Sequence, residues 1–170
     1  MRKLRYILAG LMIGAGSVAA ANTTIVDIVE NDEQFSTLLQ ALDAADLSET
    51  LRGPGPFTVY APVNAAFGAL QDGEVITLMA PENKQRLTDI LLYHVDDRKL
   101  KSKKIPEGST LFKPILTTER FCITRNVDSF VIDDGSGETA QIVRTDIKAD
   151  NGVIHIIDKV LLPGTRPSCR

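Results

Sequence analysis

The chain has 170 residues, of which 44% are hydrophobic and 24% are charged. These proportions match an ordinary globular domain and exclude a disordered or collagen-like chain. The formal charge of −3, from 19 basic and 22 acidic residues, argues against binding to the phosphates of a nucleic acid. The chain has only two histidines and two cysteines, all far apart, so we expect no metal site and no cofactor.

The N-terminus has the three parts of a secretory signal peptide. Residues 1–5 carry basic side chains, residues 6–13 are apolar, and residues 14–21 are small. We therefore predict a signal peptide over residues 1–21, with cleavage after Ala21 and with Ala19 as the second choice. Cleavage implies export, either to the periplasm or to the medium.

An uncleaved membrane anchor is the alternative to cleavage. No charge interrupts residues 6–26, and a segment of this length can cross a bilayer. The second half of the segment is rich in glycine, alanine, serine, asparagine and threonine, which favours cleavage. The mature chain then comprises a domain over residues 22–163 and a tail over residues 164–170. It has 16 basic and 22 acidic residues, which gives a charge of −6.

The helical spacing of apolar residues predicts two helices in the first half of the domain. The first follows Asp32, whose carboxylate can cap its N-terminus. The second begins at Pro81, where the missing N–H has no cost. The residues expected to share one face are Phe35, Leu38, Leu39 and Leu42 in the first helix, and Leu87, Ile90, Leu91 and His94 in the second.

A loop and a strand are predicted between these helices. Gly53–Pro56 stops helical structure and leads into a strand over Phe57–Ala61. Asn64 follows this strand and is expected to cap a short helix that begins at Ala65.

The second half of the domain changes from helical to strand periodicity, since Phe121 and Ile123 alternate with polar residues. Further strands are predicted over Phe130–Asp133, Gln141–Arg144 and Val153–Leu162. A turn over residues 133–137 separates the first two of these. Val153–Ile157 is apolar on both faces except for His155, so this strand is expected at the centre of the sheet. Helices followed by strands predict an α+β fold with one shared core.

Three segments resemble the signature blocks of the fasciclin domain family. They are Phe57–Phe67, with the sequence FTVYAPVNAAF, Leu91–Val95, with LLYHV, and Asn151–Leu162, with NGVIHIIDKVLL. The blocks occur in the family's order and at its spacing, and the resemblance covers residues 24–163. It implies a fasciclin-like fold in which N-terminal helices pack on a wedge of about seven β-strands.

The resemblance also implies a function. Fasciclin domains are binding or adhesion modules outside the cytoplasm, and bacterial members are often small secreted proteins. We therefore expect a non-catalytic protein that mediates surface or matrix adhesion through protein–protein contacts, with a surface or matrix protein or glycan as partner. A module of the envelope that binds a carbohydrate or a small ligand is the alternative. The chain contains no serine-hydrolase elbow, HExxH zinc motif or phosphate-binding glycine loop, so no catalytic residue is predicted.

The resemblance marks candidate contact residues. Animal members have been credited with integrin binding at an Asp-Ile pair, matched here by Asp146 and Ile147, and at a Tyr-His segment, matched by Tyr93 and His94. We expect partner contacts at Asp146, Ile147 and Tyr93. Asp146 precedes an Asn-Gly turn, which favours an exposed connection. The alternative is a carboxylate that accepts hydrogen bonds from turn amides.

The remaining polar candidates are expected to be structural. His94 lies on the apolar face of its helix and His155 lies in an apolar strand, so both should be buried with hydrogen-bond partners. A run of lysines is expected either to be solvated or to touch an anionic surface or polymer. Its members are Lys99, Lys101, Lys103 and Lys104.

Cys122 and Cys169 are expected to form a disulfide. Export places the chain in an oxidising compartment, and these are its only two cysteines. Strand alternation puts Cys122 on the side opposite Phe121, and the C-terminal tail is long enough to fold back to it.

Overall fold

The computed structural model describes residues 22–116, 118–167 and 169. The predicted signal peptide, residues 1–21, lies outside this part of the chain. The described residues form six α-helices and seven β-strands. The helices are α1 (Ile25–Glu30), α2 (Ser36–Ala44), α3 (Ser48–Arg52), α4 (Asn64–Gly68), α5 (Glu74–Met79) and α6 (Lys84–Tyr93). The strands are β1 (Phe57–Pro62), β2 (Val95–Asp96), β3 (Gly108–Phe112), β4 (Phe121–Arg125), β5 (Phe130–Asp133), β6 (Thr139–Ala149) and β7 (Gly152–Ile157).

The seven strands form one sheet in the order β2-β1-β7-β6-β5-β4-β3. All neighbouring pairs are antiparallel except β1 and β7, which run parallel with Phe57 beside Gly152 and Pro62 beside Ile157. Every residue of β7 is buried, so the prediction of a central strand containing His155 is confirmed. The α+β fold with seven strands is also confirmed.

The central strands separate two apolar clusters. On one face Val59 and Ile154 pack with the helices. On the other face Tyr60 and Ile157 pack with residues of β3–β6. The rings of Tyr60 and Phe121 lie edge to face with their centroids 5.3 Å apart, although β1 and β4 are four places apart in the sheet. The sheet must therefore curl until its distant strands meet.

The predicted helices are both present, with different beginnings. A 3₁₀ turn over Glu33–Phe35 precedes α2, and a second over Pro81–Asn83 precedes α6. The carboxylate of Asp32 accepts a hydrogen bond from the Gln34 N–H at 3.2 Å, so it caps the turn rather than the α-helix.

The strand predictions differ from the structure mainly in length. β5 matches its prediction, whereas β6 continues to Ala149 and β7 ends at Ile157 instead of Leu162. The chain leaves the sheet after β7 because the N–H groups of Leu161 and Leu162 donate to polar side chains of other elements. The two short strands β2 and β3 had no prediction.

Asn64 does not cap its own helix, so this prediction is wrong. Its Oδ1 accepts a hydrogen bond from the Thr37 N–H at 3.0 Å, and its Nδ2 donates to the Glu33 carbonyl at 2.8 Å. Both partners lie at the N-terminus of α2. The side chain therefore joins α4 to α2, where it accepts from one of the N–H groups that the first turn of a helix leaves free.

The predicted disulfide between Cys122 and Cys169 is present. Cys122 faces away from the second cluster, and the C-terminal tail covers it, so its side chain is buried. The tail crosses the turn between β5 and β6, where the Thr165 N–H donates to the Gly135 carbonyl at 3.2 Å. A Cβ atom on Gly135 would lie 1.7 Å from the Thr165 carbonyl oxygen, and Gly135 has a φ of +80°, so only glycine fits here.

Candidate functional site

His94 is a buried structural residue at the C-terminus of α6. Its Nε2 accepts a hydrogen bond from the Leu161 N–H at 2.8 Å, so the ring proton resides on Nδ1, which donates to the Ile90 carbonyl at 2.7 Å. Burial lowers the pKa of His94 to about 4. The neutral ring therefore ties α6 to the segment after β7, and neither nitrogen is free to act as a base.

Tyr93 lies in the core, which corrects the prediction that it contacts a partner. Its side chain is fully buried, and the single proton of its hydroxyl is shared between the carbonyls of Arg120 at 2.8 Å and Asp134 at 3.1 Å. The Tyr-His segment therefore fastens α6 to the loops around the second apolar cluster and is not part of the surface.

The two buried tyrosines differ, which allows a matched prediction. Within the described residues the Tyr60 hydroxyl has no hydrogen-bond partner. We expect Tyr93→Phe to lower the free energy of unfolding by about 1–3 kcal/mol, because the carbonyls of Arg120 and Asp134 lose the donor that they share. Tyr60→Phe should leave stability unchanged or raise it, because it removes an unpaired buried hydroxyl. Urea denaturation of both variants checks this, and equal losses of stability would contradict it.

Asp146 is not on an exposed connection, so that prediction is wrong. It lies within β6, where the pairing register with β7 shifts between Arg144 and Ile147. Its φ is +60°, a conformation that aspartate tolerates better than most residues. Its carboxylate accepts hydrogen bonds from the Ser102 N–H at 2.9 Å and the Ser102 hydroxyl at 2.5 Å. Burial raises the pKa of Asp146, but these two bonds and the nearby charge of Lys101 together hold it below its ordinary value.

Ile147 is half-buried and packs against the cluster beneath the helices. The Asp-Ile pair is thus mostly occupied by contacts within the domain. On the same strand, Val143 is 59% exposed, and Arg144 and Lys148 are exposed, so solvent-facing side chains lie on both sides of the pair in sequence.

His155 supports the same region from β7. Its Nδ1 accepts a hydrogen bond from the Asp146 N–H at 3.2 Å, and its Nε2 donates to the Leu100 carbonyl at 2.7 Å. Because Nδ1 accepts a hydrogen bond, the ring is neutral, and burial accordingly lowers the pKa of His155. It links the irregular part of β6 to the segment that contains the lysines.

We call residues 98–104 the lysine loop. Three polar side chains of the sheet hold it: the Thr58 hydroxyl donates to the Arg98 carbonyl and accepts from the Leu100 N–H at 2.8 Å, and His155 and Asp146 make the contacts given above. The loop ends in a 3₁₀ turn over Ser102–Lys104, after which Ile105 is fully buried. The four lysines are consequently presented by a firmly attached backbone.

The lysine loop is strongly basic. Lys103 and Lys104 are exposed, and Lys99 and Lys101 are half-exposed. Across the described part of the chain, none of these four amines lies within 4.0 Å of a carboxylate, whereas Arg98 is paired with the buried Asp96. Exposed Lys148 and Arg144 on β6 add two further charges beside Asp146.

Away from the lysine loop, the described surface has a depression but neither an exposed aromatic ring nor a cluster of metal-binding side chains. A depression of about 390 Å³ lies between α4 and the turn before β6, with Leu70, Val160 and Leu162 in its wall. Among the residues that the structure describes, the exposed large hydrophobic side chains are aliphatic, so no exposed aromatic ring offers a stacking platform for a neutral sugar. In the same residues no three of the His, Cys, Asp and Glu side chains are grouped closely enough to hold a metal ion. No helix in this part of the chain is long and apolar enough to cross a membrane.

The sequence singled out Asp146, His155 and the lysines, but did not indicate that they belong together. Ser102 is 44 residues from Asp146, and Leu100 is 55 residues from His155. In the sequence, the only indication of these contacts is that His155 is a polar residue within an apolar strand and that Asp146 is a charged residue next to an aliphatic one.

Comparison with known proteins identifies the family. A family model described as the fasciclin domain matches residues 33–163. Protein sll1483 of Synechocystis sp. is 42% identical over 142 residues, which are 82% of this chain and 73% of that protein. Human periostin is 29% identical over 150 residues, which are 88% of this chain but only 17% of periostin.

A solved structure has the same fold. It is a FAS1 domain pair from the insect cell adhesion molecule fasciclin I, and it matches with a TM-score of 0.72 at 19% identity. The match covers 82% of this chain and 51% of that chain, so this protein spans about half of the pair. With a family model matched over most of the domain and a bacterial relative of similar length, this chain belongs to the fasciclin domain family.

Proposed function

We propose that the protein is an exported adhesion domain that attaches surface or matrix components to one another through non-catalytic contacts with partner proteins. The observation that carries the proposal is that the polar side chains of the three family-like segments make hydrogen bonds within the domain and do not line a reactive cleft. Both histidines are neutral and have both ring nitrogens in hydrogen bonds. The solved relative is itself a cell adhesion molecule.

Two observations support export. Residues 1–21 have the composition of a signal peptide. Cys122 and Cys169 form a disulfide, and disulfides persist in oxidising compartments outside the cytoplasm. Fractionation of the native cells should find a chain that begins near Asn22 outside the cytoplasm, and a full-length cytoplasmic chain would contradict this part of the proposal.

The proposed protein contact lies on the outer side of β6, near the Asp-Ile pair. An exposed aliphatic side chain, Val143, lies there beside an exposed arginine, and arginine is enriched at protein interfaces. Ile76 on α5 is 79% exposed and offers a matched control on a different element.

The test uses the mature domain fixed on beads and extracts of the cell envelope or matrix. We expect the beads to capture a protein from the extract, and to capture none after the extract has been treated with protease. The captured protein, once purified, should bind to the beads again. Val143→Asp should weaken this binding by about tenfold, because it places a charge where apolar surface is buried, whereas Ile76→Asp should leave it unchanged. Equal binding by both variants would remove the proposed surface, and protease-resistant capture would remove the protein partner.

Glycan binding is a second candidate function, which a different feature favours. The lysine loop presents cations in a fixed arrangement, although stacking platforms for neutral sugars are missing from the described surface. Its ligand would therefore be recognised by charge.

A further inference from the structure

The backbone of the lysine loop is held at every second residue. Thr58 bonds to Arg98 and Leu100, His155 bonds to Leu100, and Asp146 bonds to Ser102. In an extended chain successive side chains face opposite sides. Residues 98, 100 and 102 are therefore the attachment points. Lys99 and Lys101 lie between them, and Lys103 and Lys104 follow in the 3₁₀ turn.

This attachment uses polar groups that are costly to bury. Thr58 and His155 are completely buried, and Asp146 adopts a left-handed backbone conformation. In each case the hydrogen bonds that satisfy the side chain also hold the loop. A binding surface that is already ordered loses less conformational entropy when its ligand binds, so this arrangement suits a loop that carries a binding site.

The charges of this surface are available to an external anion. Lys101, Lys103 and Lys104 form no ion pair with the residues that the structure describes, and Lys148 and Arg144 extend the basic surface along β6. The Asp146 carboxylate beside them is already occupied by Ser102.

We propose that the lysine loop binds an acidic polysaccharide by pairing its amines with successive carboxylate or sulfate groups. A lysine ammonium is a point charge on a flexible stem and does not require the planar, bidentate geometry that arginine favours. It can therefore follow a chain of repeating anions. The inference rests on the second candidate function, glycan binding, and names its ligand class. It does not depend on the protein contact at Val143, which the bead assay tests separately.

The surroundings of the loop favour a polysaccharide over other polyanions. The exposed large hydrophobic side chains among the described residues are Ile76, Leu111, Val127 and Val143, and none of them belongs to the loop. A membrane-binding loop would need apolar side chains to enter the bilayer, and a protein interface would need a desolvated anchor. A hydrated polymer that carries charge at regular intervals needs neither.

The test measures binding of fluorescent oligosaccharides to the mature domain by polarisation at low ionic strength. Heparin fragments carry sulfate groups and oligogalacturonate carries only carboxylates, so the two probes distinguish the anion. The loop variant replaces Lys101, Lys103 and Lys104 with alanine. The control variant replaces Lys84, Lys113 and Lys159 with alanine. It removes the same number of positive charges, but from other parts of the domain.

We expect the loop variant to bind at least one of the two probes about tenfold more weakly than the parent protein, and the control variant to stay within about twofold. Binding should also fall steeply with added salt. If both variants lose the same affinity for the oligosaccharide, net charge alone explains the binding, and the proposal is overturned. Tighter binding to a polyglutamate peptide or to phosphatidylglycerol vesicles would overturn it in favour of an acidic protein or a membrane.

A second variant tests whether the attachment of the loop matters. Ser102→Ala removes one of the two hydrogen bonds to Asp146 and leaves every charge in place. We expect several-fold weaker binding of the same probe with an unchanged cooperative unfolding transition. If Ser102→Ala binds like the parent protein, the fixed geometry of the loop has no part in recognition.

Discussion

Replacing Cys122 and Cys169 with serine is expected to lower the free energy of unfolding by as much as about 4 kcal/mol. The disulfide joins residues 47 positions apart, and closing a loop of this length in the unfolded chain removes roughly that much conformational entropy. This value is a ceiling, because it assumes that the tail stays in place when the bond is absent.

The contacts of the tail decide how much of that ceiling is realised. Apart from the disulfide, the tail is held by the Thr165 backbone and side chain, both of which donate to the Gly135 carbonyl at 3.2 Å, and by the burial of Pro167. If these contacts hold the tail, the full entropic effect appears in global stability. If they do not, the tail separates first and the loss equals the cost of detaching it.

Urea denaturation of the parent protein, with and without a dithiol reductant, and of the double serine variant distinguishes these cases. We expect the reduced protein and the variant to share one lower midpoint. Hydrogen exchange at Leu161 and Leu162 serves as the control, because their N–H groups are bonded to His94 and Asp134 and should stay protected if only the tail is released. A midpoint unaffected by reduction would show that the disulfide does not stabilise the domain.

Acid is expected to destabilise the domain as the pH falls from about 6.5 to about 4. The pKa of His94 is about 4 in the folded protein, against an ordinary value of 6.5, because the buried ring resists protonation. The unfolded chain therefore binds a proton as the pH falls through 6.5, whereas the folded chain does not until about pH 4. The stabilisation is fully present above pH 6.5 and is lost between these values, by an amount on the order of 3 kcal/mol.

His155 contributes in the same direction, since burial also lowers its pKa. The Asp146 carboxyl acts in a lower range, because its pKa lies below the ordinary 3.8 and its stabilisation is lost only in stronger acid. Urea midpoints measured from neutral pH down to about 4 check the prediction. The variant His94→Gln should be less stable at neutral pH and should show a shallower decline toward acid. A parent protein whose stability is flat over this range would contradict the assignment of His94 as a buried neutral ring.

The sequence predicted well those features that depend on the pattern of neighbouring residues. The alternation around Phe121 and the run Phe130–Asp133 gave correct strands, because side chains of a strand alternate between buried and exposed faces. β2 and β3 escaped prediction because β2 has two residues and β3 is a half-exposed edge strand without a clear apolar alternation.

The roles of single polar side chains could not be predicted, because their partners are remote in sequence. Asn64 has the local pattern of an N-cap, but its amide bonds to α2, 27 residues earlier. Asp146 precedes a turn motif, but its carboxylate bonds to the lysine loop. Side-chain hydrogen bonds are set by the tertiary arrangement of the elements, and local propensity carries no information about which distant backbone group will be near.

We have proposed that the lysine loop is a preformed surface for acidic polymers. Chemical-shift mapping of the ¹⁵N-labelled mature domain, titrated with oligogalacturonate and with a heparin fragment, tests it most directly. We expect saturable shifts concentrated at residues 98–104 and at Arg144 and Lys148 of β6. Shifts concentrated instead around Leu70 and Val160, in the depression beside α4, or spread evenly over the basic residues of the domain, would contradict it.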